Sequence, residues 1–174
     1  MTVRRKPLKV SEALSLIMQC SGESRKEWVP LEDCDGRFLA EDLIADHDIP
    51  PFNRSPYDGF AVRSKDTAGA STHGPVSLSV VGKIGAGSVF TEEVREGETV
   101  RIMTGAKIPP GCDAVIMQEA VKEIEDNLIH VRRPVPENKN ISFKGEDTKQ
   151  GTILAERGQW INPGITALLA TFGY

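Results

Sequence analysis

Apolar positions along the chain change period twice. Ala13, Leu14, Ile17 and Met18 recur at helical spacing, which predicts a first helix near Ser11–Gln19 with Ser11 as its cap and Gly22 beyond its end. The stretch 27–31 reads as extended, and a short second helix is expected after Asp35, ending before Glu41-Asp42. From residue 76 the period shortens to two. Val76, Leu78 and Val80 alternate with Ser77, Ser79 and Val81, and Val100 and Ile102 alternate with Thr99 and Arg101. Residues 113–117 form a compact apolar run suited to a buried strand. Residues 121–124 and 128–132 flank Glu125-Asp126-Asn127, a hairpin turn. The helical period returns at the end: Ile165, Leu168, Leu169 and Phe172 share one face. Asn162 caps this helix, Pro163 opens it and Gly173 stops it.

Helix-bearing ends around a strand-rich middle suggest an insertion. The fold class read from the sequence is α+β and strand-rich: an elongated mixed α/β domain from residues 1–51 plus 138–174, with an inserted β-barrel-like domain at 52–137. Pro134 and Pro136 mark the second border.

Composition narrows the function classes. The chain has 174 residues, 21 Lys+Arg and 25 Asp+Glu, a net charge of −4. A mildly acidic chain without a basic block argues against nucleic-acid binding. No apolar run approaches the roughly 20 residues of a membrane span. Three widely spaced cysteines, Cys20, Cys34 and Cys112, with no CxxC pair, argue against a disulfide scaffold or a cysteine zinc site. The expectation is a soluble cytoplasmic protein with reduced thiols.

Four segments could carry chemistry. In Ser55-Pro56-Tyr57-Asp58, the prolines at 50, 51 and 56 stiffen the chain, and a type I turn would hold Asp58 beside Arg54 and Arg63. A carboxylate fixed there could bind Mg²⁺ or take a proton, or could simply close a tight turn before the strand 60–62. In residues 100–111, a strand runs into Thr104-Gly105-Ala106. The turn's N–H groups, the Thr104 hydroxyl and Lys107 could hold an oxyanion, or the turn could be an ordinary strand exit. Gln118-Glu119 follows the buried strand and stands either at a cleft or at a solvated strand end. Lys144 is a possible phosphate or other oxyanion partner and Asp147 a possible salt-bridge or metal group; the alternative for both is a surface turn.

Other features carry less. Residues 82–87 read GxxGxG rather than GxGxxG and are taken as a turn between strands. His47, His73 and His130 lack metal spacing, His73 is expected to be exposed, and Cys112 reads as a buried small residue.

Taken together, these segments resemble the N-terminal half of the molybdopterin molybdotransferase family, MoeA and the matching domain of gephyrin. The resemblance is carried by Pro51-Phe-Asn-Arg-Ser-Pro-Tyr-Asp-Gly-Phe-Ala-Val62 and by Arg101-Ile-Met-Thr-Gly-Ala106 with Pro110-Gly-Cys-Asp-Ala-Val115 and Gln118-Glu119. Gly145-Glu-Asp147 with the Gly-rich tail and residues 36–42 upstream complete it. Where members commonly have Ser-Ala-Met before the acid, this chain has Ser55-Pro56-Tyr57; where they often carry several arginines, it has Ser142-Phe143-Lys144.

The resemblance implies molybdenum cofactor biosynthesis. Adenylylated molybdopterin and molybdate are the implied substrates, Mg²⁺ the implied metal and AMP the implied product. It implies Asp58 as the catalytic residue, Thr104 and Glu119 as substrate-binding candidates, metal ligands unassigned, and a homodimer with its site between subunits. Lys144 joins the substrate-binding candidates from its charged turn alone, at a point where the chain departs from the family's arginines. Full members continue for more than twice this span, so the chain is read as a truncated piece supplying one wall of that site and inactive alone. The rival reading is a non-catalytic β-rich carrier, or a dimerisation or partner-binding module. A carrier needs a lysine at a hairpin tip, which the turn at 125–127 lacks.

Overall fold

A computed structural model describes residues 7–20, 22, 25–125 and 127–174. The hairpin tip at Asp126 and the basic start of the chain lie outside the described residues. The fold is a strand-rich mixed α/β arrangement with a curled, half-barrel sheet. Helix α1 spans Val10–Cys20, and β1 is Leu43–Ile44. The strands that follow are β2 (Gly59–Val62), β3 (Val76–Ile84), β4 (Glu98–Ile102), β5 (Ala114–Met117), β6 (Lys122–Glu125), β7 (Leu128–Val131) and β8 (Ile153–Ala155). Helix α2 (Pro163–Phe172) closes the chain.

Six strands form one sheet in the order β5-β2-β4-β3-β7-β6. All neighbours are antiparallel except β3 and β4, which run parallel with a bulge between Val80 and Gly82. Strand β2 is buried on both faces. Phe60 and Val62 pack into a cluster with Leu78, Ile116, Ile129 and Val131, while Ala61 joins Ile84, Val94, Val100, Ile102 and Val115 on the other side. A continuous apolar run, rather than an alternating one, is what a strand covered on both faces requires. The open edge of β5 is covered by 138–140: the N–H of Val115 donates to Lys139 O at 3.0 Å, and Asn140 Nδ2 donates to Val115 O at 2.8 Å. Asn138 and Asn140 take positive φ there, a conformation asparagine tolerates better than most residues.

The second sheet is small, β1 against β8, and brings together residues from both ends of the chain. Its cluster comprises Cys34, Leu43, Ala155, Ile161, Ile165 and Leu169. Helix α2 follows its sequence signals. Asn162 accepts from the N–H of Ile165, Pro163 occupies the first position, and Gly173 is left-handed at φ 75°.

Several expectations need correction. Ser11 is not a cap: α1 begins at Val10, and Ser11 lies inside it. No helix follows Asp35. Leu31–Asp33 is a single 3₁₀ turn, and Phe38 instead bridges to Trp160. Gly82 and Lys83 are not in a turn but in β3, where the Phe90 ring lies over Gly82; a Cβ there would stand 2.7 Å from Phe90 Cε2. Cys112 is half-buried rather than buried, and burial pushes its thiol up to about 12. His73 is exposed, as expected.

Candidate functional site at one end of the large sheet

Three neighbouring strands deliver the site. Gly59 pairs with Ile102 on one side and Met117 on the other, so the start of β2 meets the ends of β4 and β5. The register brings Asp58, Thr104 and Gln118-Glu119 to the same end of the sheet. The N–H of Gln118 donates to the Asp58 carbonyl at 3.1 Å, tying the third segment to the first.

The Asp58 side chain is half-buried and fastened across the strands. Its Oδ1 accepts from the Thr104 N–H at 2.7 Å and from Thr104 Oγ1 at 2.9 Å. These two donors, with the positive charge of Arg101 nearby, hold its carboxyl below the ordinary 3.8, against a smaller opposing effect of burial. Asp58 is therefore a carboxylate at neutral pH, better suited to bind a cation or orient a donor than to abstract a proton.

The bend is not built as a hydrogen-bonded type I turn. The Ser55 carbonyl accepts from the N–H of Gly105 at 2.8 Å, while the Ser55 hydroxyl donates to Tyr57 O at 2.6 Å and accepts from Tyr57 N at 3.2 Å. Arg54 and Arg63 are not the neighbours of Asp58. Arg54 lies 3.9 Å from Asp147, and Arg63 pairs with Asp66 at 3.4 Å. The cation beside Asp58 is Arg101, whose guanidinium also lies 5.8 Å from the Phe60 ring centre. In the sequence Arg101 stands as the polar partner in an alternating strand and at the head of the Arg101–Ala106 motif, and neither pattern says what it faces.

The other candidates divide. Glu119 is exposed in a single 3₁₀ turn (118–120), with Gln118 Nε2 donating to its Oε1 at 3.4 Å. Lys144 belongs to a different neighbourhood. Its N–H donates to Asn53 Oδ1 at 2.9 Å, and its Nζ lies 3.3 Å from Asp48 Oδ2. Glu146 accepts from the N–H of Phe143 at 2.8 Å and pairs with the Ser142 hydroxyl, contacts that place its carboxyl below the ordinary 4.5. The Gly145-Glu-Asp147 segment thus fastens 142–147 to the chain at 48–54. Among the described residues no group of three or more His, Cys, Asp or Glu side chains could hold a metal.

This frame is matched over residues 8–173 by the model of the MoeA N-terminal region, domains I and II. The chain belongs to the MoeA family. It is 48% identical to a molybdopterin molybdenumtransferase of Bacillus subtilis over an aligned length of 177, which covers all of this chain and 41% of that protein. A molybdopterin molybdenumtransferase of Staphylococcus aureus is also 48% identical, over 98% of this chain and 41% of its own. The structure of a molybdopterin biosynthesis MoeA protein from Pyrococcus horikoshii superposes with a TM-score of 0.87 at 42% identity, covering 97% of this chain and 44% of that one. This MoeA-family chain therefore spans about two fifths of the length of the curated relatives it matches.

Proposed function

We propose that this chain acts in molybdenum cofactor biosynthesis, as one wall of an intersubunit site where molybdenum from molybdate is inserted into adenylylated molybdopterin and AMP is released. The observation that carries this reading is the Asp58–Thr104 pair, held at the meeting point of three strands in a frame shared with proteins named molybdopterin molybdenumtransferase.

Asp58 is the catalytic residue of this reading. Thr104 spends its hydroxyl and its N–H on Asp58, so it acts by orienting the carboxylate. Glu119 lines the same strand end. Lys144, already paired with Asp48, is a weaker substrate ligand than its charge alone suggests. Mg²⁺ fits a site of this kind, because that ion commonly takes one or two carboxylates and completes its shell with water and phosphate oxygens. Asp58 would be its protein ligand, and the bound ion would offset phosphate charge.

We also read the chain as two units, 1–51 with 138–174 and 52–137. The small β1–β8 sheet supports this, since that sheet and the apolar cluster on it draw their residues from both end segments and none from the large sheet. A homodimer, in the cytoplasm, belongs to the same reading. Leu14, Ile17, Trp28, Phe38 and Trp160 are all more than half exposed, apolar surface of the kind a second copy could cover. No helix among the described residues is long and apolar enough to cross a membrane.

The test is Asp58→Asn in a full-length member. Release of AMP should fall at least 100-fold while the protein still folds; undiminished release would overturn the reading. The 174-residue chain alone should release none.

A further inference from the structure

Two residues without chemistry of their own bracket Asp58. Before it, Ser55 is fully buried, and its hydroxyl bonds both the N–H and the carbonyl of Tyr57. The Ser55 backbone also joins the opposite turn, its N–H donating to Ala106 O at 3.0 Å and its carbonyl accepting from the N–H of Gly105 at 2.8 Å. The path into Asp58 and the turn that carries Thr104 are thereby one bonded unit.

After it, Gly59 lies so close to β5 that a Cβ would stand 2.0 Å from Ile116 O, 2.9 Å from Ile116 C and 3.2 Å from Met117 Cα. These are backbone atoms of a paired strand and cannot swing aside. Any side chain would push β2 away from β5, and Asp58, next in the chain and bonded by its carbonyl to Gln118, would move with it.

We propose that Ser55 and Gly59 are positioning residues for Asp58, the hydroxyl fixing its approach and the missing side chain fixing its distance from the 116–119 segment. This rests on the reading of Asp58 as the site acid. Ser55 does more than fill space. An alanine would fit the same buried position, but it could not hold both the N–H and the carbonyl of Tyr57.

Amide hydrogen exchange followed by NMR in the 174-residue chain tests this, with thermal unfolding run alongside. In Ser55→Ala and Gly59→Ala the N–H of Thr104, which donates to Asp58 Oδ1, should exchange about tenfold faster than in the parent chain. The N–H of Gln150, which donates to Asp48, should keep its parent rate. A folded Ser55→Ala chain with the parent rate at Thr104 would overturn the proposal, as would equal acceleration at Thr104 and Gln150, which would indicate general loosening. If Gly59→Ala does not fold, Ser55→Ala decides alone. Full activity in Asp58→Asn would remove the functional reading and leave the exchange result standing.

Discussion

Carboxylates in this chain are held mainly by backbone N–H groups, and that sets its acid behaviour. Asp48 accepts from the N–H of Gln150 and faces Lys144 and Lys149. Glu146 accepts from the Ser142 hydroxyl and the N–H of Phe143 and faces Arg54. Both, like Asp58, titrate lower in the folded chain than their ordinary 3.8 or 4.5. Around those values the unfolded chain binds more protons. The stability these groups contribute is complete above about pH 5 and is lost as the pH falls from 4.5 and 3.8 down through the lower values they take in the folded chain. Melting temperature should therefore fall on acidification in this window. Asp48→Asn with Glu146→Gln should flatten that limb while lowering the plateau, and an unchanged slope in the double variant would contradict the assignment. The position of Asp58 was legible from its proline-stiffened neighbours. Its partners were not, because spacing cannot reveal that residue 104 of a distant strand lies opposite residue 58.

Elements were legible where their signals are local. Helix α2 carries its cap, its first proline and its terminal glycine within twelve residues, and all three act as the sequence implies. Asn162→Ala should cost about 1 kcal/mol, the usual range for a lost cap being roughly 0.5–2, measured by denaturant unfolding. A loss below 0.3 kcal/mol would mean the Asn162–Ile165 bond carries little. The 31–40 stretch was misread because what shapes it lies far away. The N–H of Leu39 donates to Gln159 O at 2.9 Å, and that of Ile161 donates to Arg37 O at 2.7 Å. Local helix propensity loses to these long-range pairings, a context effect no sequence window contains. The turn reading of Gly82 failed likewise, since Gly82 continues β3 in register with Val100 of β4, with the Phe90 ring over its bare backbone.

At the scale of the molecule, stability should be uneven, and the pattern follows from where apolar surface is removed from water. Strands β2 and β4 lie inside the large sheet, with Ala61, Val62, Val100 and Ile102 wholly inaccessible and the two apolar clusters packed on opposite faces. The β1–β8 ladder joins strands of two and three residues, and no residue of α1 is buried. Local opening is cheapest where few apolar contacts must be broken. Amide exchange should thus be slowest in 60–62 and 100–102, faster in 43–44 and 153–155, and fastest in 10–20. Exchange at Thr104 and Gln118, whose N–H groups bind Asp58, should follow the slow strands they adjoin, because opening them means parting β2 from β4 and β5. Mass-spectrometric exchange on the 174-residue chain resolves these segments. Fast exchange at 104 and 118 beside a protected 60–62 would show the acid and its partners loosening independently of the sheet. The claim that the strands hold the site rigid would then fail, even though the fold itself stands.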